Sequence, residues 1–181
     1  MTIQRDPSHP IPVIETERLL MRAFQVEDLD DYVAMWADPN VLEHIGIPPS
    51  SREMTWTRLL RAHGHWALMG FGFWAVEEKA SGRFVGEVGF AEFMREMEPS
   101  LVGTPEMGWV LSAWSHGRGF ATEAARAAIG WWEVNHGLQR TACIIDPGNR
   151  ASLRVAEKCG YREFARTTYK DHPIVVLERT P

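Results

Sequence analysis

Apolar residues recur at helical spacing in four stretches of the chain and gather into short extended runs elsewhere. Leu29, Tyr32, Val33 and Trp36 fall on one face of a helix that begins at Asp28 and stops near Pro39. Ser51 stands as an N-cap before a second helix, with Trp56, Leu59, Leu60 and His63 expected on one face. Ala121, Ala124, Ala125, Ala128, Ile129 and Trp132 form the stripe of a third helix, which runs to about His136 and is closed by Gly137. The fourth spans Asn149 to Cys159 and ends at Gly160. Extended runs occupy Arg18–Phe24, Phe73–Glu78, Phe84–Phe90, Glu106–Leu111, Thr141–Ile145, Tyr161–Thr168 and Ile174–Glu178. The second and third flank Ala80-Ser81-Gly82 and read as an antiparallel hairpin. This order predicts an α/β (α+β) chain: a mixed, mostly antiparallel sheet of six to seven strands with helices on both faces.

No repeat, low-complexity tract or linker interrupts the pattern. Residues 15–181 are expected to form a single domain, preceded by a flexible arm, 1–14, that carries Pro7, Pro10 and Pro12. A chain of 181 residues suits one such domain. Nineteen basic residues against 24 acidic ones leave a net charge of −5, which argues against a nucleic-acid binder driven by phosphate contacts. The longest apolar runs fall far short of the ~20 residues of a membrane span, and no membrane partner is expected. The first 14 residues lack the apolar stretch of a secretory signal. The two cysteines, Cys143 and Cys159, cannot make a disulfide framework or a zinc site by themselves, so a reducing cytoplasmic setting is expected. Both read as small buried hydrophobes. His63 and His65 lie two apart on a helix and diverge, so they read as packing residues and no metal is expected. Arg22, Arg61 and Arg140 read as solvated.

The segment richest in chemistry joins the Glu106–Leu111 strand to the third helix: Ser115-His116-Gly117-Arg118-Gly119-Phe120-Ala121-Thr122. Glycines at alternate positions of a strand-to-helix turn expose consecutive N–H groups at a helix N-terminus, an anion site for phosphate or pyrophosphate. Arg118 adds a cation. The plain alternative is a tight loop whose glycines only supply positive φ. A dinucleotide fingerprint fails here. Thr122 stands where its third glycine belongs, and the acidic residue expected ~20 positions on falls near Leu138 and Gln139. No Gly-Lys-Ser/Thr follows, which excludes a P-loop. Asn149 reads as an N-cap, with Ser152 in the first helical turn behind it.

His116-Gly117-Arg118-Gly119-Phe120-Ala121 resembles the Gln/Arg-x-x-Gly-x-Gly/Ala signature of the GNAT acetyltransferases, with His116 where Gln or Arg is usual. Three stretches resemble the RimJ/RimL-like branch, the ribosomal-protein N-terminal acetyltransferase-like group. They are the opening Glu17-Arg18-Leu19-Leu20-Met21-Arg22, the longer string Glu106-Met107-Gly108-Trp109-Val110-Leu111 followed by Trp114 and Gly117-Arg118-Gly119-Phe120-Ala121-Thr122-Glu123-Ala124, and Asp146-Pro147-Gly148-Asn149-Arg150-Ala151-Ser152 leading to Glu157-Lys158-Cys159-Gly160-Tyr161. The resemblance covers about Ile14 to Glu178. It implies a GNAT fold, with strands splayed at an acetyl-CoA site and direct acetyl transfer to an amine such as a protein N-terminus, a peptide or a small amine. It also implies that His116, Gly117, Arg118, Gly119, Phe120, Ala121 and Thr122 hold the pyrophosphate. The backbone of Trp109, Val110 and Leu111 would bind the pantetheine and polarise the thioester carbonyl. The residue matching Asn149 would hold the pantetheine, and the hydroxyl matching Ser152 would lie near the sulfur. Glu87 and Glu106 are candidates for the base, each also readable as a solvent-facing strand residue, and Tyr169 is a further candidate near the sulfur. The rival reading is a catalytically silent acyl-CoA-binding module on the same fold. A monomer or homodimer is expected.

Overall fold

The computed structural model describes residues 11–180. Eight strands form one sheet: β1 (Ile14–Glu15), β2 (Leu19–Arg22), β3 (Phe73–Glu78), β4 (Phe84–Ala91), β5 (Glu106–Leu111), β6 (Thr141–Ile145), β7 (Arg162–Tyr169) and β8 (His172–Arg179). They lie in the order β1-β2-β3-β4-β5-β6-β8-β7. Every neighbouring pair is antiparallel except β5 and β6. The helices are α1 (Leu29–Ala37), the one-turn α2 (Pro39–Leu42), α3 (Arg52–Met69), α4 (Phe120–His136) and α5 (Arg150–Lys158).

The eighth strand is β1, which the sequence pattern misses because it is a two-residue pairing, Ile14 with Met21 and Glu15 with Leu20. This pairing also revises the expected arm. Residues 1–10 lie outside the described residues, but 11–14 are docked. Ile14 joins the sheet, Ile11 and Ile14 pack on the core, and the Trp74 indole N–H donates to the Pro12 carbonyl at 2.8 Å.

Side chains alternate across each strand, so adjacent residues of β3 enter different cores. Trp74 and Val76 join the cluster under α4 and α5, whereas Ala75 joins the cluster under α1 and the first half of α3. Trp66, Trp74 and Trp131 meet edge to face at 4.8–5.3 Å, tying the end of α3 to α4. Caps close α3 at both ends: Ser51 Oγ accepts the Met54 N–H, and Gly70 sits at φ 71°. The buried face of α3 is Thr55, Leu59, Ala62 and Trp66. Leu60, expected on that face, is 50% exposed, because it lies about 100° round the helix from Leu59. Arg22 is not solvated either. Its guanidinium grips Asp28 through two bonds of 2.8 Å and also meets Glu77, holding β2 to the start of α1 and to β3. Arg140 pairs with Glu178 at 2.8 Å.

Candidate active site

Parallel strands β5 and β6 touch at one register pair, Glu106 with Ala142, and then diverge. Two helices start at the wide end of this opening, α4 after β5 and α5 after β6. The opening separates two differently furnished faces of the sheet.

The face under α4 and α5 carries the Gly-rich turn. After β5 a single helical turn, Ala113–Ser115, is closed by the Ser115 hydroxyl donating to the Ser112 carbonyl at 2.7 Å. Gly117 and Gly119 then adopt φ 75° and 82°, a region L side chains rarely enter, and α4 begins at Phe120. A Cβ at Gly117 would meet nothing within 4 Å, and one at Gly119 would meet only the Arg18 guanidinium at 3.5 Å. The amides of Gly117, Arg118 and Gly119 donate to no acceptor among the described residues. With the unpaired amides of the first turn of α4, they make a cradle that an anionic pyrophosphate fits. Phe120 is buried, so it contributes backbone alone, while Ala121 and Thr122 lie half-buried in the first turn of α4. The His116 ring donates through Nε2 to the Leu111 carbonyl at 2.8 Å and so ties the turn to β5. Arg118 is not the free cation the sequence suggests. Its guanidinium pairs with Glu78 at 2.5 Å and lies 4.5 Å over the Phe120 ring.

Across the opening, Asn149 caps α5, its Oδ1 accepting the Ser152 N–H at 2.9 Å. Ser152 Oγ accepts the indole N–H of Trp109 at 3.3 Å, so two residues 43 apart in sequence meet side chain to side chain. That bond uses an oxygen lone pair and leaves the Ser152 hydroxyl hydrogen available to a ligand. Val110 and Leu111 complete the edge of β5 that borders the opening.

The opposite face carries the carboxylates. Along β5, Glu106, Gly108 and Val110 point this way, and β4 pairs Glu87 with Val110. Neither acid faces solvent as its strand position suggested: Glu87 is 8% and Glu106 5% exposed. The reason is tertiary. Strand β4 is buried along its whole length, and α1 and the loop after β4 cover this face. Tyr32 of α1 donates its hydroxyl to Glu87 Oε2 at 2.7 Å, and no hydrogen bond reaches Oε1 among the described residues. Burial pushes the Glu87 carboxyl up, and the Tyr32 hydroxyl, Arg58 and Arg61 pull it partway back. Glu106 is gripped by Arg95 through two bonds of 2.7 Å. Burial pushes its carboxyl up as well, and Arg95 opposes that push. Tyr169, at the end of β7, stacks its ring 4.9 Å from the Arg95 guanidinium, and no hydrogen bond joins it to Ser152 among the described residues. Phe93, Arg95, Tyr169 and Lys170 line a cavity of about 330 Å³ there.

Tyr32, Arg58 and Arg95 were not singled out by sequence reasoning. Tyr32 reads as an ordinary core position of α1, and nothing local marks the two arginines. His63 and His65 pack as expected, the His63 ring against the Phe24 carbonyl at 2.8 Å and the His65 ring against the Phe71 carbonyl at 2.7 Å. Both cysteines are buried. Among the described residues no helix is long and apolar enough to cross a membrane.

Known proteins resemble this chain in sequence and in fold. An uncharacterized protein of Bacillus subtilis (strain 168), YkkB, is 30% identical over 171 residues, covering 91% of this chain and 93% of its own. The crystal structure of an acetyltransferase from Agrobacterium tumefaciens str. C58 superposes with a TM-score of 0.81 at 26% identity, covering 98% of this chain and 99% of that one. RimL, a ribosomal L7/L12 alpha-N-protein acetyltransferase solved with coenzyme A, shares the fold at a TM-score of 0.75 and 14% identity, over 93% of this chain and 98% of that one. The family profile of the acetyltransferase (GNAT) domain matches residues 18–162. With its splayed β5 and β6 and the glycine turn at their open end, the chain belongs to the GNAT acetyltransferases.

Proposed function

We propose that the protein transfers acetyl from acetyl-CoA directly to a primary amine, a protein N-terminus, peptide or small amine, and that it sits in the RimJ/RimL-like branch on the strength of its sequence motifs. The observation that carries this reading is the opening between β5 and β6, with unpaired turn amides at its mouth and a buried carboxylate on its far face. The amides of residues 117–122 hold the pyrophosphate. The edge of β5 at Trp109–Leu111 takes the pantetheine, and Asn149 and Ser152 line the other wall.

Of the two carboxylates, Glu87 suits the base. Both oxygens of Glu106 are engaged by Arg95, which makes it a structural anchor. Glu87 keeps Oε1 free of protein partners, and burial lifts its carboxyl toward the working pH of a base. Glu87 takes a proton from the amine, directly or through a water. The amine nitrogen then attacks the thioester carbonyl carbon, and main-chain amides along β5 stabilise the oxyanion. As the carbon–sulfur bond breaks, the Ser152 hydroxyl hydrogen-bonds the departing thiolate; of the two protons left on the ammonium nitrogen after Glu87 has taken the first, one passes to the thiolate to give the CoA thiol and the other stays on the amide product. Tyr169, its ring against the Arg95 guanidinium, is the further candidate to lie near the sulfur.

Acetyl-CoA is expected to raise the melting temperature by mass action. Mixing the protein with acetyl-CoA and a panel of amines, while following thiol release, tests turnover. Binding with no release on any amine would reduce the protein to an acyl-CoA-binding module, and no binding at all would remove the whole reading.

A further inference from the structure

Two sequence features have no role in the chemistry above: the opening stretch at Thr16 and Arg18, and Glu123 in the first turn of α4. The fold joins them across more than a hundred residues. The Thr16 hydroxyl donates to Glu123 Oε1 at 2.6 Å, and the Arg18 amide donates to the same oxygen at 3.0 Å. The Arg18 guanidinium donates through Nε to Glu123 Oε2 at 2.7 Å and through a terminal nitrogen to the Arg118 carbonyl at 2.9 Å. It also lies 4.8 Å over the Phe120 ring. Burial pushes the Glu123 carboxyl up, but the Thr16 hydroxyl, the Arg18 amide and the Arg18 guanidinium hold it below the usual range, so it stays an anion in this grip.

The bond to the Arg118 carbonyl bears directly on the turn. Arg118 lies between Gly117 and Gly119, the two most permissive backbone positions in the segment. Left to themselves, the flanking glycines let the Arg118–Gly119 peptide plane rotate. In a trans peptide the C=O and the following N–H point in opposite directions. Holding the carbonyl on Arg18 therefore aims the Gly119 N–H away from Arg18, to the side of the turn where no protein acceptor meets it. We propose that Thr16, Arg18 and Glu123 form a clamp that sets the amide directions of the pyrophosphate cradle, with Arg18 a positioning residue for CoA. Its charge is already neutralised by Glu123, at 2.6 Å, so its fork of donors matters more than its charge. This inference rests on the pyrophosphate reading of the turn.

The test compares wild type with Arg18→Lys, Arg18→Met and Glu123→Gln, each checked for folding by its melting transition. Calorimetry gives the dissociation constant for CoA. Steady-state kinetics give KM for acetyl-pantetheine, which has no pyrophosphate. The clamp predicts that CoA binding by Arg18→Met and Arg18→Lys weakens by about tenfold, the loss of one charge-assisted bond, with a smaller loss for Glu123→Gln. KM for acetyl-pantetheine stays at the wild-type value in all three. Arg18→Lys keeps the charge and decides the matter if Arg18→Met does not fold. Wild-type CoA affinity in folded Arg18→Lys overturns the clamp, and so does an equal loss with CoA and acetyl-pantetheine. Wild-type protein that does not bind CoA overturns the pyrophosphate reading itself.

Discussion

The two faces that meet at the β5–β6 opening are built in different ways. On the α4 and α5 side, the proposed working groups are backbone amides and one hydroxyl, drawn from two short continuous segments, 109–122 and 149–152. On the α1 side they are side chains from six separate places: Tyr32, Arg58, Glu87, Arg95, Glu106 and Tyr169. Anion binding by amides needs only a chain path, and glycines dictate that path locally. Proton transfer needs a tuned side chain, and tuning comes from burial and neighbours that only the tertiary structure assembles.

Substitutions on the acid side test this contrast most severely. Glu87→Gln is expected to lower kcat by ~10²–10⁴ while leaving CoA affinity intact, because it removes proton transfer and nothing on the other face. The wild-type rate should fall as pH drops through the raised value of Glu87, above the ordinary glutamate range, since only the carboxylate accepts a proton. The Tyr32 hydroxyl favours the carboxylate, so Tyr32→Phe should move that acid limb to higher pH, as a kcat/KM profile would register. A limb unmoved by both changes would transfer the base role elsewhere.

Next in size is Ser152→Ala, with kcat expected to fall by ~10², at the low end for positioned donors. Its stability should fall by about 0.5–1.5 kcal/mol, because the Trp109 indole N–H loses its acceptor while Asn149 still caps α5. Wild-type turnover under conditions where chemistry limits the rate would make Ser152 a structural residue. Gly119→Asp belongs to the other face. The protein should fold with about 1–2 kcal/mol less stability, since the left-handed backbone at φ 82° strains an Asp although only Arg18 lies near the new Cβ, and should bind CoA at least tenfold more weakly, about the loss of one charge-assisted contact. Glu106→Gln separates the two acids. It should cost about 1–3 kcal/mol of stability by loosening Arg95, and far less kcat than Glu87→Gln, by denaturant melts and initial rates. Leu60→Ser closes the series with a change within about 0.5 kcal/mol, since Leu60 is half exposed.

Most of the fold was legible because its signals are local. Phe73–Glu78, Glu106–Leu111 and Thr141–Ile145 stand as strands with the bounds the apolar runs indicate, and Ser51, Asn149 and Gly137 cap the helices they flank. What escaped were features decided by a distant partner. The two-residue β1 exists only because Met21 and Leu20 pair with it. Arg22, read as solvated, is gripped by Asp28 and Glu77. Glu87 and Glu106, read as solvent-facing, are buried by α1 and by the loop that carries Arg95.

The sequence by itself determined the glycine turn, the helix that follows it and the Asn149 cap, because positive φ, missing amide partners and N-cap geometry are properties of a few consecutive residues. It also carried enough motifs to point to the GNAT acetyltransferases. Only the tertiary structure decided that Trp109 meets Ser152, that Arg118 spends its charge on Glu78, and that one carboxylate is locked while the other keeps a free oxygen. Those outcomes depend on which side chains the splayed sheet and its covering helices bring within hydrogen-bond reach. No spacing along one chain encodes that distance.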